Sequence, residues 1–337
     1  MIRVLVRLAL LALVAALAAV AALAWYAQRP LVWDGEAVEF TLRPGTALRQ
    51  ATRQIAAAGV PVEPVLMALI GRVAVDGTKL QAGSYAFRSG LTPVELLEMM
   101  TRGDVTLREV RLIEGWTWRQ ARAALAAHPD LLQEAAALDD AQLLARIGSD
   151  APFAEGWFFP DTYLFARGDS DLSVLRRAHH AMQAQLAQAW QNRPADLPYR
   201  SPQDALIMAS IIEKETGTAT DRPMIASVFV NRLRVGMPLQ TDPTVIYGLG
   251  ERFDGNLTRA HLRADTPYNT YTRGGLPPTP IALPGRAAID AALNPAPSPY
   301  YYFVARGDGS SEFSRTLAEH NRAVERYQRR PARSERK

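Results

Sequence analysis

The chain has 337 residues, with 38 Lys and Arg against 34 Asp and Glu, a net charge of +4. So small a surplus, spread along the chain, argues against the basic stripe of a nucleic-acid binder, and 48% hydrophobic with 21% charged residues argues against disorder. Cysteine is absent, which removes disulfides, cysteine-ligated zinc, iron–sulfur clusters and a thiol nucleophile together, and the histidines at 128, 179, 180, 261 and 320 show no ligand spacing. No metal or cofactor is expected, and the length suggests about two domains.

Residues 8–26 carry no charge, follow Arg3 and Arg7, and end in Trp25 and Tyr26 ahead of Arg29 and Pro30. At 1.5 Å per residue this run crosses a hydrocarbon core of about 30 Å, and the short Arg-bearing N-terminus is expected in the cytoplasm. Ala22-Leu23-Ala24 offers a competing reading as a signal-peptide cleavage site. The run is longer than a typical signal h-region, and aromatics at its outer end suit a retained anchor. Either way residues 30–337 are exported. We therefore assign 1–29 to a cytoplasmic N-terminus and transmembrane anchor.

Beyond the anchor, residues 37–42 alternate like a strand, 46–58 and 62–73 look helical, and 83–87 return as a second strand. Thr92 begins a helix through Met100, with Glu95 completing a capping box. Strand, two helices and strand is the order of a LysM-type glycan-binding module, an order many small domains share. Residues 30–104 are assigned to this subdomain. From Val105 the chain reads as mixed α and β: 105–113 alternate, while 118–127, 140–147 and 172–190 are helical. Residues 192–198 read as a proline-bearing linker, 300–304 and 311–314 as a hairpin around Arg306-Gly307-Asp308-Gly309, and 317–327 as a closing helix. The fold class is α+β: a transmembrane helix, a small βααβ subdomain, and a larger mixed catalytic domain over 105–330 with a polar tail at 331–337.

Chemistry concentrates after Pro202. The helix 204–216 is apolar almost all round and ends in Glu213-Lys214-Glu215. At about 100° per residue Glu215 falls between Ile211 and Ile212 and continues the apolar face, where desolvation would raise its pKa and let it hold a proton near neutrality. The competing reading places Glu213 and Glu215 in solvent at a fraying helix end. A second helix from Asp221 carries Asn231 and Arg232 on its last turn. Asp242 before Pro243 reads either as a helix N-cap with Pro at N1 or as a site residue. Loops rich in Asn, Thr, Gln, Asp and Tyr supply donors, acceptors and aromatic faces for sugars.

The run Ala209-Ser210-Ile211-Ile212-Glu213-Lys214-Glu215-Thr216, then 226–233, Leu239-Gln240-Thr241-Asp242-Pro243-Thr244-Val245-Ile246-Tyr247-Gly248, 268–271, Gly275-Leu276-Pro277-Pro278 and Glu155-Gly156-Trp157-Phe158-Phe159-Pro160-Asp161-Thr162-Tyr163 closely resembles the endolytic murein transglycosylases of the YceG-like family. The resemblance covers the chain from the anchor to the closing helix. It implies a single-pass inner-membrane enzyme whose bulk is periplasmic and which cuts the MurNAc–GlcNAc bond within nascent peptidoglycan strands. It also implies association with peptidoglycan synthases and no nucleic-acid partner. In that family the catalytic glutamate is the second of the Glu-Lys-Glu-Thr motif, which is Glu215. Thr216, Asn231, Gln240, Thr241, Asp242, Tyr247, Asn269, Tyr271 and Glu155 are the expected substrate contacts.

One carboxyl suffices for such a reaction. Ordinary glycosidases use two, whereas here the C6 hydroxyl of the sugar is the nucleophile and closes a 1,6-anhydro ring. Two readings compete: a non-catalytic glycan-binding scaffold, and a conventional hydrolase using Asp242 or Glu213 as second carboxylate. Nucleotide binding has little support, since Gly248-Leu249-Gly250 lacks the third glycine of the dinucleotide fingerprint.

Overall fold

The computed structural model describes residues 2–35, 37–77, 79–215, 218 and 220–329. The apolar N-terminal run forms one helix, α1 (Ile2–Gln28), nearly all of it exposed, which is long and apolar enough to cross a membrane. The chain folds as two compact units, one comprising residues 1–109 and 164–169, the other 110–163 and 170–337.

In the first unit, β1 (Val38–Leu42) is followed by α2 (Leu48–Ala57), α3 (Pro64–Val73), β2 (Gly83–Phe87) and α4 (Pro93–Arg102). β1 and β2 pair antiparallel with Phe40 opposite Tyr85, so the alternating apolar residues point one way. Phe40, Leu42 and Phe87 meet Ile55 of α2, Met67 and Ile70 of α3, and Leu96, Leu97 and Met100 of α4 in one buried cluster. The predicted capping box opens α4, where Thr92 and Glu95 exchange hydrogen bonds, and Gly103 closes it in the left-handed region at φ 74°. The expected order of strand, two helices and strand is present, with each helix shorter by one to three residues at its ends because Ala47 and Glu63 adopt extended cap geometry.

β3 (Leu107–Arg111) and β4 (Thr162–Ala166) form a two-stranded sheet. The second unit continues with α5 (Trp118–Ala126), α6 (Asp140–Ile147), α7 (Asp171–Gln191), α8 (Pro202–Glu215) and α9 (Arg222–Arg234). Then come α10 (Asp242–Leu249), α11 (Arg259–Arg263), α12 (Arg286–Leu293), the antiparallel hairpin β5 (Tyr302–Ala305) and β6 (Ser311–Ser314), and α13 (Leu317–Val324). The closing helix changes to a π-type turn over Glu325–Arg329.

Helix α8 is the axis of this unit, with every residue from Ala205 to Ile212 buried. Met182 and Leu186 of α7, Phe229 and Val230 of α9, and Ala288, Ile289, Ala292 and Leu293 of α12 share its cluster. The alanines let α12 approach closely, and each buried Leu or Ile contributes about 1.5–3 kcal/mol. Ser210, the one hydroxyl in this buried run, donates to the Ile207 carbonyl at 2.7 Å and accepts from the Ile281 amide at 3.0 Å. A main-chain ladder extends that attachment: Gly115 N–H donates to Leu283 O at 2.9 Å, and Leu283 N–H to Trp116 O at 2.7 Å. Segments distant in sequence are thereby fastened beside the end of α8.

Candidate active site

The three charges that end α8 go three different ways. Glu213 accepts from the Gly285 amide at 3.0 Å, at the N-cap of α12. Lys214 Nζ donates to the Gly115 carbonyl at 3.0 Å. Glu215 accepts from the Thr241 hydroxyl through Oε1. The fraying-end reading is overturned, because each residue of the last turn has its own tertiary partner.

Glu215 is half-buried, and its surroundings set its proton affinity. Burial pushes its pKa up and nearby Asp242 adds to this, while the Thr241 hydroxyl and the Arg232 guanidinium act in the opposite direction. Burial dominates, which favours the protonated acid. Among the described residues, Oε1 is the carboxylate oxygen that carries a hydrogen bond.

Thr241 is held to aim at this carboxyl. Its amide donates to Thr270 Oγ1 at 3.1 Å, and Gln240 N–H donates to Thr270 O at 3.1 Å. Gln240, which is exposed, has a φ of 50°, the one positive φ of a non-glycine among the described residues. That left-handed residue turns the chain just before Thr241. Arg232 braces the same turn, donating from Nε to Tyr301 O at 2.7 Å and from Nη1 to Leu239 O at 2.6 Å.

Asp242 does not cap α10. Thr241 occupies the N-cap position with no side-chain cap bond, which puts Asp242 at N1 and Pro243 at N2. The Asp242 carboxylate instead accepts from the Tyr271 hydroxyl at 2.6 Å. Glu215, Thr241, Asp242 and Tyr271, all candidates from the sequence, thus form one cluster.

A second carboxyl cluster is built around Glu155. Its Oε1 accepts from the Trp118 amide at 2.8 Å, the first residue of α5, and its Oε2 from the Tyr247 hydroxyl at 3.0 Å. Burial lifts its pKa to about 7 against these two hydrogen bonds and one from the Gly156 amide. Gly156 follows at φ 82°, and a Cβ there would lie 2.5 Å from Pro280 Cβ, so only glycine fits the turn. Glu155 and Tyr247 line a cavity of about 720 Å³ together with Lys214, Pro243, Arg119, Gln120, Phe253 and Tyr268. Tyr268 meets Tyr247 edge-on at 4.9 Å. Lys214 and Pro243 are the chain neighbours of Glu215 and Asp242, so both clusters border the same part of the chain.

Two expected contacts are corrected by burial. Asn269 is fully buried; its amide donates to the carbonyls of Leu262 at 3.1 Å and Ala264 at 2.7 Å, and its oxygen accepts from Tyr271 N–H at 2.9 Å. Asn231 spends both amide protons on the Ser298 and Tyr300 carbonyls, at 2.9 and 3.0 Å. Both are struts of the fold, and neither has a donor to offer a sugar. Thr216 lies outside the described residues. Arg119, Gln120, Lys214, Phe253, Tyr268 and the bracing role of Arg232 were missed by sequence reasoning, although the motifs that carry the resemblance include Lys214, Arg232 and Tyr268. Among the described residues, no group of three His, Asp or Glu side chains is placed to hold a metal ion.

Known proteins share this arrangement of sequence and fold. The profile of the YceG-like family matches residues 40–326. An endolytic murein transglycosylase from Bacillus subtilis (strain 168) is 34% identical over 269 residues, covering 73% of this chain and 73% of its own. One from Streptococcus pneumoniae (strain D39) is 32% identical over 177 residues, covering 50% of this chain and 31% of its own length. The crystal structure of a yceG-like protein from Listeria monocytogenes aligns with a TM-score of 0.54 at 30% identity, covering 86% of this chain and 99% of that one.

Proposed function

From the premise that this chain belongs to the YceG-like family, we propose that it is a peptidoglycan lytic transglycosylase in which Glu215 is the single acid and base. It is a lyase acting on murein, as the names of its relatives indicate. The observation that carries the assignment of Glu215 is the half-buried carboxyl at the end of an otherwise sealed helix, its pKa raised by burial and its Oε1 held by one hydroxyl.

The Glu215 carboxyl would give its proton to the glycosidic oxygen as the MurNAc C1–O bond breaks and positive charge develops at C1. The resulting carboxylate would take the proton of the C6 hydroxyl while that oxygen bonds to C1, leaving a GlcNAc 4-hydroxyl on one product and a 1,6-anhydro end on the other. No water is consumed, and the carboxyl finishes protonated as it began. Thr241 would position the acid, while Gln240, Asp242, Tyr247 and Tyr271 border the path of the sugar. Glu155, fixed on both oxygens, supports the cavity wall.

The helix α1 fits a single-pass anchor. Arg3 and Arg7 ahead of it support a cytoplasmic N-terminus and a periplasmic bulk. The strand, helix, helix and strand of residues 30–104 support a LysM-like glycan contact, residues 105–330 form the catalytic domain, and synthases are the partners sought by co-purification after crosslinking.

The test is product analysis by mass spectrometry after incubating the purified chain with peptidoglycan. Parent protein yields anhydro-ended fragments from within strands, and Glu215→Gln, folded by circular dichroism, yields none. Normal turnover by this variant would falsify the assignment. Reducing ends without the anhydro ring would make the protein a hydrolase instead.

A further inference from the structure

The first unit carries a basic, apolar-edged surface that the reaction does not use. Arg49 and Arg53 stand one turn apart on α2, and Arg72 faces them from α3 around a cavity of about 330 Å³. All three are exposed, and among the described residues no carboxylate pairs with any of them. Like charges four residues apart on a helix repel, so this arrangement gains from an added anion. Residues 43–75 hold arginines at 43, 49, 53 and 72 against the single acid Glu63, which is not in the cavity lining. Beside the arginines, Val65, Leu69 and Val73 form an exposed stripe at four-residue spacing on α3, Val65 and Val73 each 74% exposed.

The position of this face in its unit says what covers it. The amide of Glu63, the N-cap of α3, donates to the Tyr26 hydroxyl at 2.7 Å, near the end of α1. The chain just after α1 is pinned as well: Leu31 N–H donates to Leu91 O at 2.9 Å and Gly90 N–H to Leu31 O at 2.7 Å. Ala27 is buried in the unit's core, and Leu23 and Tyr26 pack against it. Tyrosine and tryptophan at the end of a membrane helix sit at headgroup level. The start of α3 is therefore tied to that level.

We propose that the α2–α3 face binds the headgroups of anionic phospholipids in the leaflet at the C-terminal end of α1. The guanidinium groups of Arg49, Arg53 and Arg72 would fork onto lipid phosphates, and Val65, Leu69 and Val73 would rest against the glycerol and upper acyl region. The face thereby gives the first unit a second attachment to the membrane beside the end of α1.

The chain lacks cysteine, so Val73→Cys gives one site for an environment-sensitive fluorophore on the full-length protein. The labelled protein is placed in nanodiscs of phosphatidylcholine alone or with roughly 30% phosphatidylglycerol, each containing a headgroup-nitroxide quencher lipid. Quenching is expected to be at least about twofold stronger with the anionic lipid and to lose that excess at high salt or in the triple variant Arg49→Gln, Arg53→Gln, Arg72→Gln. Free inorganic phosphate added outside the discs should not compete, and competition would assign the site to a soluble anion. Equal quenching in both discs overturns the proposal. So does a label shielded by added glycan strands and indifferent to lipid, which would make this the glycan face. If the triple variant unfolds, Arg53→Gln alone must lower the quenching ratio, each arginine contributing about fivefold in lipid preference. The readout is independent of turnover and so of the assignment of Glu215.

Discussion

Glu215 and Glu155 are both carboxyls whose pKa burial raises, yet the second unit treats them differently. Glu155 has a donor on each oxygen, one of them the main-chain amide at the start of α5. Among the described residues Glu215 has one, a side-chain hydroxyl on the turn before α10. A carboxyl bonded on both oxygens is a brace, whereas one with an uncommitted oxygen can exchange a proton with a substrate. A raised pKa alone does not separate the two roles, and the placement of the donors does.

The largest expected effect is on turnover. Glu215→Gln should reduce anhydro-product formation by about 10³-fold or more while preserving the fold, and Glu155→Gln by about tenfold at most, both read as initial rates on glycan strands. The reverse order would exchange their roles. Next in size is a pH effect on stability. Folded Glu155 keeps its proton to about pH 7 while the unfolded glutamate releases it near 4.5, so the folded chain binds more protons in that window and loses stability as pH rises through it. The loss is about 3 kcal/mol, and urea unfolding of Glu155→Gln should show that slope removed.

Thr241→Val sharpens the comparison from the other side. Loss of the hydroxyl removes an influence that lowers the pKa of Glu215, so that pKa rises. The alkaline limb of the rate profile should then shift to higher pH. The same change should cost about 1 kcal/mol in stability and about tenfold in rate, since the acid is less well aimed. The smallest effect is expected of Tyr271→Phe, which frees Asp242 from its donor. A rate change within about fivefold and a stability change of about 1 kcal/mol fit a hydrogen bond at a partly exposed carboxylate.

Much of this could be read from residue pattern. The all-round apolar run of α8 foretold a buried helix, and Thr92 with Glu95 foretold the start of α4. Helix α12 was legible and overlooked, its signal being Ala288, Ile289, Ala292 and Leu293 at helical spacing after Gly285. Asn231 and Asn269 show where pattern fails: a polar loop residue turned inward to carbonyls has the same letter as one turned outward to a sugar. The cap at Asp242 was misplaced by one residue because proline is accepted at N2 as well as N1. The attachment of Lys214 to Gly115 spans 99 residues, and no local rule announces it.

That attachment has a consequence for the temperature dependence of cleavage. Glu213 and Lys214 lock the last turn of α8 to two separate segments, so the backbone that carries Glu215 gives up its freedom when the chain folds. Little ordering of the acid is then left for the encounter with a glycan strand, and the activation entropy of each cut should reflect the sugar's loss of freedom far more than the enzyme's.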